Sequence, residues 1–236
     1  MRRWLLLLCL YPTLAGAVVT FDTTTTGNCM GCTTLNVAHT NACVSAPLLL
    51  ASVFDISAQV SGMVFHGDAL TDLGGITFGT EKQWALVNPD SGGEFDLVVT
   101  AADVTDLQVA VTTLCGVDQV TATGSIVAND ETTTSDPYVT SSLTVPSNGL
   151  GLNAAYICDF TNNATAVTSS GGTERSNTIL DYGNGKCWHV VQTRGTTGTF
   201  TYSFNGGAIT PFVAAVGVPI NPAAAMRRRA FVGMTQ

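Results

Sequence analysis

Three cysteines and a histidine crowd the stretch NCMGCTTLNVAHTNAC, Asn28 to Cys43, in the spacing C-x2-C-x6-H-x3-C. Two chemistries use such a set. Thiolates and an imidazole close tetrahedral zinc sites, usually as two close pairs of ligands. Oxidised, the same cysteines staple the edge of a secreted domain. Cys29 and Cys32 make a good first pair for zinc. The intervening TTLNVAHT alternates apolar and polar residues, with Leu35 and Val37 on one side, and so reads as a strand. Zinc knuckles use shorter, Gly-rich gaps. A redox CxxC belongs in a βαβ pattern, and none surrounds this one.

The compartment decides between the two. The chain opens MRRWLLLLCLYPTLAGA. Arg2 and Arg3 form a basic start, Trp4 to Leu10 a short apolar run, and Ala15-Gly16-Ala17 a small-x-small site. That is the pattern of a secretory signal peptide over residues 1–17. The run is too short to span a bilayer, which takes roughly 20 residues, so no stable membrane insertion is expected. Export implies an oxidising setting. Without Cys9, six cysteines are left: Cys29, Cys32, Cys43, Cys115, Cys158 and Cys187. Disulfides are therefore expected over zinc, and no cofactor is. Sequence cannot fix the connectivity. The preferred pairing joins Cys43 to Cys29 or Cys32, closing a loop over the first strand, with Cys158–Cys187 as a second bridge.

Other catalytic sets are thin. The histidines are His39, His66 and His189, and no G-x-S-x-G elbow accompanies them. His189 sits between Trp188 and Val190 and reads as a packed strand residue. His66 precedes Gly67-Asp68, a hairpin turn. A glycosidase needs two carboxylates set about 5–10 Å apart. Asp96, Asp159 and Asp181 are candidates, but Glu81, Glu94, Glu131 and Glu174 all read as lying beside turns. Calcium needs clustered oxygens, which NDETTTSD (Asn129 to Asp136) could supply in part; an acidic loop explains it as well. No catalytic residue is expected. Trp84 and Trp188 fall inside strand patterns and read as core. Tyr138, Tyr182 and Tyr202 are possible surface aromatics. Tyr182 and Asn184, in the loop DYGNG, are the expected contact residues, because function concentrates on loops held by a rigid frame.

The elements that would position these residues are strands. LQVAV, YVTSSLTV (Tyr138 to Val145) and FTYSF alternate; LLLASVF, WALV and CWHVV read as strands buried on both sides. Turn signals such as NPDSGG, PSNG, SSGG and YGNG separate them. The count is about a dozen strands at spacings near 8–12 residues, which predicts an all-β antiparallel β-sandwich or jelly roll, disulfide-stabilised, over residues 18–220. That body holds 4 basic and 17 acidic residues, a balance of −13, which repels phosphate backbones and excludes nucleic acid as a partner. Residues 221–236 form a basic tail carrying Arg227, Arg228 and Arg229. It reads either as a frayed end or as a peg that docks into an acidic neighbour, another copy included.

Four stretches, as a set, carry a resemblance. VSGMVFHGDALTDLGG (Val60 to Gly75) is similar to V-x-x-V-x-Y-G-G-x-A-L-T-x-L, and EKQWALVNPDSGGEFDLVVT (Glu81 to Thr100) to a strand W-x-L-x-N-P-P, a Gly turn and V-x-V-T. TTLCGVDQ (Thr112 to Gln119) is similar to F-S-G-V-D-Q, and FTYSFNGGAITPFVAAVGVPI (Phe200 to Ile220) to a closing strand pair ending A-x-V-G-V-x-I. Together they resemble an uncharacterised β-sandwich domain of secreted bacterial proteins and phage structural proteins. His66 stands where an aromatic is usual, Asp68 replaces a Gly and Asp90 the second Pro. The resemblance implies architecture and setting, with no catalytic residues. The expectation is a secreted, non-catalytic structural or adhesive protein of a cell-surface, filament or virion assembly. Its partners would be further copies or other surface proteins. The alternative is a carbohydrate-binding module that takes glycans, and a polysaccharide-active enzyme comes last.

Overall fold

Thr-, Val- and Ala-rich stretches with few helix-forming charges favour pleated structure, and the chain folds accordingly. The computed structural model describes residues 17–57, 59–76, 81–132, 136–161, 163–183, 185–206 and 211–224. In chain order the strands are β1 (Thr20–Asn41), β2 (Leu48–Asp55), β3 (Val60–Phe65), β4 (Asp68–Ala69), β5 (Thr71–Gly75), β6 (Glu81–Val87), β7 (Gly93–Cys115), β8 (Val127–Thr132), β9 (Tyr138–Val139), β10 (Leu150–Asp159), β11 (Ala164–Ser170), β12 (Thr173–Asp181), β13 (Lys186–Arg194), β14 (Thr201–Gly206) and β15 (Phe212–Ile220). The described residues contain no helix. The all-β antiparallel sandwich is borne out.

The first sheet runs β4-β3-β7-β2-β6-β5, with β1 paired along the other edge of β7. β1 and β7 form a long ribbon. Thr20–Cys29 pairs with the second half of β7, and Thr34–Asn41 with the first. Between the halves the register slips at Cys29–Cys32, where Gly31 takes a left-handed φ of 62°. There the ribbon folds back on itself. His39, late in β1, places its ring nitrogens 3.0 Å from Thr25 Oγ1, early in β1, and 2.7 Å from Thr113 Oγ1. A Cβ on Gly27 would press to 2.6 Å from Val37 Cγ2, so this glycine lets the halves approach. The sheet thus nearly closes on itself. Val37, Leu49, Val53, Met63, Phe65, Leu97, Val99, Leu107 and Val109 fill the interior.

The second sheet, β12-β13-β10-β15-β8, packs on the outside of this near-barrel, and the third, β11-β14-β9, covers the second. β10, β13 and β15 lie in the middle layer and are buried on both faces, mostly by apolar residues, as their continuous runs require. Trp188 and Tyr202 fill the core between the outer two layers.

Three disulfides staple the sheets, each within one sheet. Cys158–Cys187 joins paired strands, as expected. The other two pairings correct the sequence reading: Cys29 bonds Cys32, and Cys43 bonds Cys115. β1 continues as strand past Cys32, which carries Cys43 to the far end of the ribbon. There it meets the last residue of β7, with a Cα–Cα separation of 5.6 Å. Two strand assignments also change. Asn129–Thr132, read as loop, belongs to β8 and pairs with β15. The strand read over Tyr138–Val145 is confined to Tyr138–Val139, because the Thr140 side chain then takes the Phe200 N–H.

Candidate functional site

The signal segment before Ala17, the contact residue Asn184 and the arginines Arg227, Arg228 and Arg229 lie outside the described residues. Tyr182 is half-buried and packs beside Phe54, Tyr156, Cys158 and Cys187. Tyr138 and Tyr202, read as surface aromatics, are core residues at 4% and 0% exposure. Trp84 and Trp188 are buried, as their strand patterns imply.

The concave feature with the densest chemistry lies on the outward face of the near-barrel, over β3 and the first half of β7. A cleft of about 620 Å³ is lined by Val64, His66, Gly67, Glu94, Phe95, Asp96 and Val98. Strand alternation explains the carboxylates and valines of the lining, whereas Phe95 has the inward parity of Leu97 and packs at the edge of the interior cluster. Leu97 and Val99 point inward, so Glu94, Asp96 and Val98 point out, with Val64 opposite Val98 across the pair. His66 occupies the β3–β4 turn with a left-handed φ of 48°, a strained backbone for a non-glycine. That turn swings its ring over Phe95, with centroids 4.4 Å apart.

A second turn orients the histidine. Asn88, with φ at 54°, opens NPDSGG. The buried Asn41 Nδ2 donates to the Asp90 carbonyl at 2.6 Å. This fixes the turn so that the Asp90 carboxylate meets His66 Nδ1 at 2.5 Å. Both side chains are more than half exposed, which makes the pair salt-sensitive. The cleft therefore joins an aromatic platform, a row of carboxylates and two valines. It suits a ligand with positive or hydroxyl-bearing groups spaced along an extended backbone. Among the described residues no group of three or more His, Cys, Asp and Glu side chains could hold a metal ion.

A further polar set was missed by the sequence reading. Glu81, read as lying beside a turn, is fully buried at the start of β6 and faces the second sheet. Its Oε1 lies 3.3 Å from His189 Nε2, and His189 is also fully buried. Ser52 donates to Gln83 Oε1 at 2.8 Å beside them. Burial pushes the Glu81 carboxyl above the usual range, and the facing His189 partly opposes this. Glu81 Oε2 and His189 Nδ1 have no hydrogen-bond partner among the described residues. The pair is sealed between sheets, so it ties layers together and meets no substrate. The signal for it was the polar alternation E-x-Q in a strand otherwise read as buried. For the cleft, the signal was E-F-D-L-V-V with its outward carboxylates.

No protein-family model matches the chain, and no curated protein matches it. The disulfides suit an oxidising, extracellular environment. No helix among the described residues is long and apolar enough to cross a membrane.

Proposed function

We propose that this chain is a non-catalytic structural or adhesive module of an extracellular or virion surface, and that it works through association with copies or partner proteins. The observation that carries this reading is β1. Its 22 residues pair with β7 along one edge, and no described strand pairs with the other. Its only charged residue is Asp22, and it contains no Lys, Arg, Glu or Pro. Exposed edges in monomeric proteins are normally blunted by charge or proline, because an open row of N–H and C=O groups templates another strand. Here the blunting is slight: Asp22, a register shift at Phe21–Thr23 and the irregularity at Cys29–Thr34. β12, which also pairs on one side only, lies against β1 and widens the same wall. The resemblance to β-sandwich domains of secreted and phage structural proteins supports the same reading.

Sedimentation velocity over a concentration series tests it. Wild type should self-associate, and Asn28→Lys with Thr34→Lys, both exposed on β1, should shift it at least tenfold towards monomer. Wild type that stays monomeric at every concentration, together with binding on a glycan array, would replace this reading with the carbohydrate-binding one. Turnover of a polysaccharide panel would overturn both.

A further inference from the structure

We propose that the His66 cleft is the docking groove for the chain's own basic C-terminal segment, with Arg227 and Arg229 on Glu94 and Asp96. The first argument is register. In an extended strand, alternate residues share a face and repeat every 6–7 Å or so. β7 shows Glu94, Asp96 and Val98 outward at that repeat. An extended segment from Arg227 shows Arg227, Arg229 and Phe231 at the same repeat. Laid parallel to β7, the two rows match position by position: guanidinium on Glu94, guanidinium on Asp96, and Phe231 on Val98 and Val64. Arg228 faces away. The reversed direction would still pair the charges but would set Phe231 beyond Glu94, away from both valines.

The second argument is where the described chain ends. Ala223 N donates to Gly116 O at 2.8 Å. Gly116 follows Cys115, which is bonded to Cys43. Cys43 follows Asn41, which pairs with Gly93, the first residue of β7. The chain therefore leaves the body at the end of the near-barrel where β7 begins. Running on along β7 from Glu94 towards Val98 is the parallel direction that the register requires. Three residues from Ala224 to Arg227 cover about 10 Å when extended. The third argument is charge. The body has a balance of −13, and the chain's densest cationic cluster is Arg227–Arg229. Arginine pairs carboxylates bidentately and stacks on planar rings such as the exposed His66 imidazole. The tether supplies an effective concentration in the millimolar range, so even a weak contact is occupied.

The test uses the full chain and a fluorescent peptide of Ala225 to Met234, read by anisotropy at low salt. A chain carrying Arg227→Ser, Arg229→Ser and Phe231→Ser has an open groove and should bind the peptide about tenfold more tightly than wild type, whose own segment competes. Adding Glu94→Gln and Asp96→Asn, both exposed, should abolish that binding while the far-UV spectrum stays unchanged. Arg228→Ser alone should behave as wild type. Equal peptide affinity for wild type and the tail variant, or no binding to either, overturns the proposal. So does Arg228→Ser acting like Arg227→Ser, which would mean unspecific charge. A wild-type dimer that vanishes in the tail variant would also overturn it, by showing that the occupant is a second copy's segment.

Discussion

His39 is neutral because of where β1 folds back. Its ring sits at 0% exposure between two threonine hydroxyls, and burial lowers its pKa to about 4, against a weaker upward pull from Asp22. The folded pKa is depressed, so the unfolded chain binds the proton first as the pH falls. This group's contribution is full above the unfolded value of 6.5 and is lost progressively down to about 4. A shift of that size corresponds to about 3 kcal/mol. Urea unfolding at pH 7 and pH 4.5 should show much of that loss in wild type and little of it in His39→Gln. Glu81 has the opposite sign. Its pKa is raised by burial, so its contribution is present at acid pH and is lost as the pH rises through the folded value. Gln at 81 keeps an acceptor for His189 and removes the charge. Glu81→Gln should stabilise the protein by about 1 kcal/mol at pH 8, with the gain fading towards pH 4. Equal effects at both pH values would mean that Glu81 is already neutral at pH 8. These side chains were legible only in part. Alternation showed that His39 shares a face with Leu35 and Val37. Nothing local showed that Thr113, far along the chain, would meet it. Glu81 was misread because a strand's first residue resembles a turn residue until the opposing sheet is known.

Element by element, the β1–β7 ribbon governs the fold, and its disulfides divide the labour. Cys43–Cys115 closes a span of 72 residues, whereas Cys29–Cys32 spans 3. On the chain-entropy estimate the first should contribute about 4 kcal/mol and the second about 2. Cys43→Ala with Cys115→Ala should therefore lower the urea midpoint roughly twice as far as Cys29→Ala with Cys32→Ala. The reverse order would show that the ribbon's corner, not its closed end, limits stability. Most short strands were readable in the sequence: LLLASVF and CWHVV carry continuous apolar runs and are buried on both sides, whereas WALV is buried only at Trp84 and Ala85 and leaves Val87 exposed. The length of β1 was not readable. Gly27, Gly31 and two cysteines look like a break, yet a bulge absorbs them and the pairing resumes. The cysteine pairing was misjudged for the same reason, since a loop over the first strand was assumed where the strand continues. β8 was missed because edge pairing to β15 needs only its backbone, so a polar side-chain pattern gave no warning.

Across the whole molecule, charge and backbone make opposite demands, and salt separates them. The body's balance of −13 means that two copies approaching through the β1 wall repel one another, while the wall itself offers uncharged backbone and threonine. Added salt shortens the screening length from about 30 Å at 0.01 M to about 8 Å at 0.15 M, and it weakens only the repulsion. Self-association through β1 should therefore strengthen with sodium chloride. The contact of Arg227 and Arg229 with Glu94 and Asp96 is an attraction between exposed charges, so the same salt should weaken it. One experiment reads both. Sedimentation and peptide anisotropy, run in parallel from 0.01 to 0.5 M salt, should move in opposite directions. If both weaken, association is itself a charge contact and the open edge of β1 is not its surface. If neither moves, the apolar residues Phe231, Val64 and Val98 dominate the groove, and the carboxylate row is incidental to it.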